Sequence, residues 1–214
     1  MKRRNTMEIK WLGHSCFKIT HSGYSVVIDP YETRELSGYP ELHLEADAVL
    51  CSHEHHGHNN RSAVRLTGAG KPCPYELSVI DTFHDTSWGK LRGPNRIHIL
   101  DWDGYKLVHM GDFGCILTDN EKAELFGADV LMINAGGFRA MPSDKTKPLA
   151  DELFANVVIP MHYAHDGCGN RRLERVEAFT DQYMPLSVVR FYDTDTIDIT
   201  KQTPTQVAVL KFAK

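Results

Sequence analysis

Residues 52–60 read Ser52-His53-Glu54-His55-His56-Gly57-His58-Asn59-Asn60, which places four of the chain's twelve histidines within nine positions. They follow an apolar run, Ala48-Val49-Leu50-Cys51. An internal position argues against a purification tag and leaves two readings, a metal site or a solvated surface tract. His53 and His55 are two apart, so on an extended or looped segment their imidazoles project to the same side. His58 lies three further on, a spacing that returns to that side at a helix start. His56 is out of phase and is not expected as a ligand. Neutral imidazole is the commonest metal-binding side chain, and zinc and similar ions accept imidazole together with carboxylate.

Working outward, three more candidate ligands follow apolar, strand-like segments: His84 in "DTFHD", Asp112 in "HMGDFG" and His162 in "VIPMHY". Placement after strands predicts that they gather at one edge of a sheet system, where loops carry function. Together with the cluster they outweigh the surface-tract reading.

The surrounding pattern is strand-rich. "MEIKWLGHSCFKIT" and "YSVVIDP" alternate or run apolar between Gly13 and Gly23, and further strands are expected at "DAVLCS", "ELSVIDTF", "RIHILDW", "YKLVHMGD" and "DVLMINAGG". Asp101 to Tyr105 reads as a hairpin. Helices are expected in "NNRSAVRLTG" (59–68), in "TDNEKAELFG" (118–127), from Asp144 to Ala155, and in "NRRLERVEAFTDQY" (170–183). A last strand pair is expected near "SVVRFYD" and "TQVAVLKF". The mixture points to sheets covered by helices, α/β or α+β, in one compact unit with residues 1–6 as a polar tail and 7–214 as the domain.

Composition narrows the function classes. The chain has 214 residues, 42% of them hydrophobic, and a formal charge of −4, with no like-charge block beyond Lys2-Arg3-Arg4. Small molecules are therefore the expected partners; nucleic acid is not, and a homo-oligomer stays open. No apolar run approaches the roughly 18 residues of a membrane span, and no signal-peptide core is visible, so a cytoplasmic protein with no membrane partner is expected. Five scattered cysteines without a C-x-x-C pair read as free thiols.

The series "SHEHHGH", "FHD", "GDFG" and "PMHY", preceded by "GHSCF" and "VVIDP" and joined by "RGPNRIHI" and "INAGG", resembles the metallo-β-lactamase-fold hydrolases. It is most similar to their small cytosolic branch, which includes the ascorbate-6-phosphate lactonase-like proteins. The resemblance runs from about Met7 to the C-terminus. It implies an α+β, four-layer αββα sandwich of two mixed β-sheets flanked by helices, with one or two divalent ions in a cleft. Zinc is the first expectation; Mn, Fe or Ni suit the same donors. Carried over, His53, His55 and His84 match ligands of the first metal, Asp112 the bridging carboxylate, and His58 and His162 ligands of the second. One position departs: Gly57 stands where the H-x-H-x-D-H pattern has aspartate. The second position is therefore expected to be depleted, with Glu54, His56 and Asp85 as candidate replacement donors.

The expected chemistry is hydrolysis of a small ester, lactone or phosphoester by metal-activated water, with Asp112 and His58 as the catalytic residues. His14 is expected to line the cleft, and His109 to support the ligands from behind. Arg92 and Arg139, with Lys145, are candidates to hold a phosphate or carboxylate. Trp88 and Phe138 are candidate walls. The alternatives are a nuclease or phosphodiesterase acting on nucleic acid, and a metal-binding protein whose activity was lost with the aspartate.

Overall fold

Alternation of apolar and polar residues near the N-terminus builds a first sheet. The computed structural model describes residues 6–34, 36–183 and 188–212; of the expected tail, only Thr6 lies among them. In β1 (Met7–Gly13) Met7, Ile9 and Trp11 are buried and Glu8 is exposed. Strand β1 pairs antiparallel with β2 (Cys16–His21), which pairs antiparallel with β3 (Tyr24–Ile28). Next, β4 (Leu44–Ala46) leaves this sheet to form a parallel ribbon with β6 (Val64–Leu66), while β5 (Ala48–Leu50) adds parallel to β3. The histidine cluster begins just beyond β5.

The second sheet starts with three antiparallel strands, β7 (Tyr75–Phe83), β8 (Pro94–Trp102) and β9 (Tyr105–His109). The expected hairpin is present: Trp102 faces Tyr105 across Asp103 (φ 50°) and Gly104 (φ 80°), two left-handed residues that suit a tight turn. Parallel pairing then extends the sheet through β10 (Val130–Asn134) and β11 (Val157–Met161). At the far edge β12 (Val189–Phe191) pairs parallel with β14 (Gln206–Val209), which pairs parallel with β11. Between these two, β13 (Thr196–Ile199) crosses to the first sheet and pairs antiparallel with β1, a swap that no local pattern announced. Of "SVVRFYD", Ser187 lies outside the described residues.

Every residue of β10 and β11 is buried, as expected where a parallel sheet is covered on both faces. On one face lie Phe17, Ile19 and Ile28 of the first sheet; α2 (Ser143–Leu153) packs on β10 and contacts α1 (Asp119–Leu125) and α3 (Glu177–Thr180). Helix α1 opens with a capping box, Thr118 and Glu121 satisfying each other's backbone N–H. The outer face of the first sheet is covered by loop residues Tyr31, Leu36, Tyr39 and Leu42 and by the β4–β6 ribbon. The mixed-sheet sandwich is thus as expected, with loop and ribbon forming much of the fourth layer.

Two expected helices differ. Residues 59–68 form one 3₁₀ turn, Arg61–Ala63, and then β6. Their apolar residues do not recur at helical spacing, and β4 supplies a partner for the backbone. In 170–183 only α3 is α-helical. Upstream, the backbone is used by neighbours: Glu174 N–H donates to the Gly136 carbonyl, and the Glu174 carbonyl accepts from Ala164. Among the described residues no helix is long and apolar enough to cross a membrane, and all five cysteines are free thiols.

Candidate metal centre

Strands β1, β3, β5 of one sheet and β7, β9, β10, β11 of the other end on a common edge, and nearly every candidate residue follows one of these ends. His14 comes after β1, Asp29 after β3, the histidine cluster after β5, His84 after β7, Asp112 after β9 and His162 after β11. Two triads result. In His53, His55 and His84, and again in His14, His58 and His162, one ligand atom per residue lies within 4.8 Å of the others. Ring centroids are 4.1 Å apart for His53–His84 and 4.2 Å for His14–His162.

Asp112 stands between the triads. Its Oδ2 is 3.2 Å from His58 Nε2, 3.3 Å from His162 Nε2 and 3.9 Å from His84 Nδ1. Oδ1 accepts from Asn134 Nδ2 at 3.3 Å, and the Asp112 N–H donates to Asn95 Oδ1 at 2.9 Å. Asn95 also donates from Nδ2 to the Met110 carbonyl and to Thr82 Oγ1, so β8 braces the loop that carries the carboxylate.

Behind the histidines lies Asp29, fully buried. Its carboxylate is 2.9 Å from His58 Nδ1 and accepts from the backbone N–H and the hydroxyl of Ser52, whose Oγ is 2.9 Å from His53 Nδ1. This arrangement leaves His53 Nε2 and His58 Nε2 facing the cleft side of the network, as carboxylate-backed metal ligands do. Asp29, Ser52, Asn95 and Asn134 carry no metal-ligand spacing in the sequence; for Asp29 the signal is a lone acid closing the apolar run "VVIDP".

The donor set fits a metal. His14 Nδ1, His53 Nε2, both ring nitrogens of His84 and His162 Nδ1 are buried with no hydrogen-bond partner, a costly state for polar atoms that a cation relieves. Burial pushes His53 down to about 2 and His84 down to about 4, and it also lowers His55 and His14, so these rings are neutral and ready to donate lone pairs. Burial acts the same way on His58, but the Asp112 and Asp29 carboxylates outweigh it and raise its pKa. For Asp112 burial pushes upward and is overcome by His162 and His58, which hold it ionised.

The other expected residues divide. His14, Arg92, Arg139 and Phe138 line a cleft of about 570 Å³ together with His55, His58, His84, Asp112 and His162. Lys145 lines an adjoining pocket that shares His84 and Arg92 with this cleft. Trp88 stands outside the cleft, 78% exposed. His109 is buried, its Nε2 2.9 Å from the Ser15 carbonyl and its Nδ1 accepting from the Gly111 N–H at 3.2 Å, so it braces the turn that precedes Asp112. The three replacement donors are engaged elsewhere: Glu54 accepts from Asn59, His56 faces Glu32 at 3.6 Å, and the Asp85 carboxylate is taken by the N–H groups of Ser87, Gly89, Leu91 and Arg92.

Comparison with known proteins agrees with this architecture. Residues 8–162 match the family described as "Beta-lactamase superfamily domain". A "UPF0173 metal-dependent hydrolase" of Methanoculleus marisnigri is 25% identical over 90% of this chain and 97% of its own. One of Hyperthermus butylicus is 25% identical over 72% and 82%. A Thermotoga maritima structure, assigned to the Zn-dependent hydrolases of the metallo-beta-lactamase superfamily, superposes with a TM-score of 0.71 and 26% identity, covering 95% of this chain and 98% of that one.

Proposed function

This chain belongs to the beta-lactamase superfamily of metal-dependent hydrolases, and from that premise we propose that it hydrolyses a small ester, lactone or phosphoester with a metal-activated water. The observation that carries the reading is the pair of histidine triads on either side of Asp112, beside one cleft. His53, His55 and His84 would hold the first ion, Asp112 would be shared, and His58 and His162 would serve the second. Such an ion lowers the pKa of its bound water toward about 7 and polarises the oxygen under attack.

The protein's own groups do the rest. Asp112, kept ionised by its imidazole neighbours and oriented by Asn134, accepts a hydrogen bond from the attacking water and holds it on line. His58, tied to Asp29 through Nδ1, keeps its Nε2 edge toward Asp112, where it would bind the second ion; without that ion, the same edge could carry a proton beside the water. Arg92 and Arg139 give the cleft positive charge suited to a phosphate or carboxylate on the substrate. Leu36, Leu173 and Phe138 supply apolar wall. The cleft volume falls in the range of small-molecule sites.

The test joins elemental analysis of the purified protein to an activity screen over esters, lactones and phosphoesters. We expect bound transition metal and turnover that a chelator abolishes and metal restores. Efficient cleavage of RNA, with affinity falling steeply as salt rises, would replace this reading with the nuclease one.

A further inference from the structure

Gly57 removes a carboxylate from the second metal position, and the space beside it is filled from elsewhere. A Cβ built on Gly57 would lie 3.2 Å from His14 Nε2 and 3.6 Å from His14 Cδ2. The imidazole therefore occupies the volume into which a longer side chain at position 57 would grow. Gly57 is not among the residues with positive φ, so glycine is not required there by backbone conformation. What glycine provides is room for the ring.

The ring is also held in place. His14 is 5% exposed and its Nδ1 has no hydrogen-bond partner. Its backbone is left-handed (φ 53°), as is that of His162 (φ 55°), conformations that cost a side-chain-bearing residue energy and persist where surroundings enforce them. Two hydrogen bonds enforce this one: Trp11 Nε1 donates to the His14 carbonyl at 3.0 Å, and the His162 N–H donates to the same oxygen at 3.1 Å. The first residue after β1 and the first after β11 are thus locked to each other across the two sheets.

We propose that His14 is a ligand of the second metal position, replacing with an imidazole the carboxylate that Gly57 lacks. This rests on the metal-centre reading above and extends it. The second position then has three imidazoles, His14, His58 and His162, and a share of Asp112, mirroring His53, His55 and His84 on the other side. Exchange of a carboxylate for an imidazole favours ions such as Zn²⁺ over Mg²⁺ or Ca²⁺, which prefer oxygen donors.

The experiment is Zn²⁺ titration of the metal-free protein, with metal content measured directly. The unmodified chain should take up two ions. His14→Ala should keep one and weaken the second by more than about 100-fold, beyond the 10- to 100-fold typical of losing a group that only supports a ligand. Gly57→Asp added to His14→Ala should restore the second ion, because the carboxylate enters the vacated volume. His84→Ala is the companion variant and should weaken the first ion. If His14→Ala folds poorly, ¹⁵N-histidine spectra of the unmodified protein decide instead: a His14 ring nitrogen should move to a metal-bound shift with the second equivalent. Two ions of unchanged affinity in His14→Ala, equal loss of both, or an unmoved His14 resonance would overturn the proposal and leave the metal centre standing. Absence of any bound ion in the unmodified protein would instead overturn the metal-centre reading itself.

Discussion

At the residue scale, the buried line Asp29, His58, Asp112 would set how a metal and protons compete in the proposed centre. Burial opposes charge on His58, yet two carboxylates raise its pKa, so in the metal-free fold it binds a proton more tightly than in the unfolded chain. The sign follows: this contribution to stability is present below the ordinary imidazole pKa and is lost as pH rises through the raised value. A cation must displace that proton, whereas His53, His55 and His84, lowered by burial, have none to lose near neutrality. Calorimetric titration at pH 7 in buffers of different ionisation heat should therefore show proton release with the ion bound by His58. Identical heats in all buffers for that ion would contradict the assignment. Asp29→Asn removes an anionic acceptor from both His58 and Ser52, and we expect metal affinity to fall 10- to 100-fold, read by competition with a chromogenic chelator. Unchanged affinity would deny Asp29 its role behind the ligands.

At the element scale, strand ends matter more than strands. The exit of β9 must turn within Gly111 to present Asp112. Gly111 is left-handed (φ 58°), and a Cβ there would clash with Asn95 Oδ1 and lie 2.6 Å from Ser52 Cβ. Gly111→Ala therefore meets a backbone penalty of about 1–2 kcal/mol and a clash with the groups that hold Asp112 and Asp29. We expect a lower Tm together with lost metal, measured by thermal melts and elemental analysis; a variant with normal Tm and normal loading would show that the turn is not needed. Strand periodicity was readable because the inward residues of β1 and the buried runs of β10 and β11 follow a short local rule. The failed helices at 59–68 and 170–183 were not readable because their backbone groups find partners far away in sequence, in β4 and at Gly136.

At the scale of the whole molecule, the centre straddles two sheets: His14, Asp29 and the 53–58 cluster come from the first, and His84, Asp112 and His162 from the second. An ion held there ties the sheets together at one edge, so chelation should lower Tm and re-addition should restore it; at a free metal concentration 100 times Kd the binding contributes about 2.7 kcal/mol. A Tm indifferent to chelator in a metal-loaded sample would count against the cross-link. The sequence by itself determined the chemistry on offer: the spacing of His53, His55 and His58, and the placement of His84, Asp112 and His162 after apolar runs, are local facts that mark donors at strand ends. Its resemblance to the H-x-H-x-D-H pattern also marked Gly57 as the position where a carboxylate is missing. Only the tertiary structure decided which donors meet. The order of strands in the two sheets, including the crossing of β13 to pair with β1, is set by burial summed over the whole chain. That order brings His14 beside Gly57 and Asp29 behind His58, and no periodicity within a window of residues encodes a distance between ends of strands that pair in different sheets.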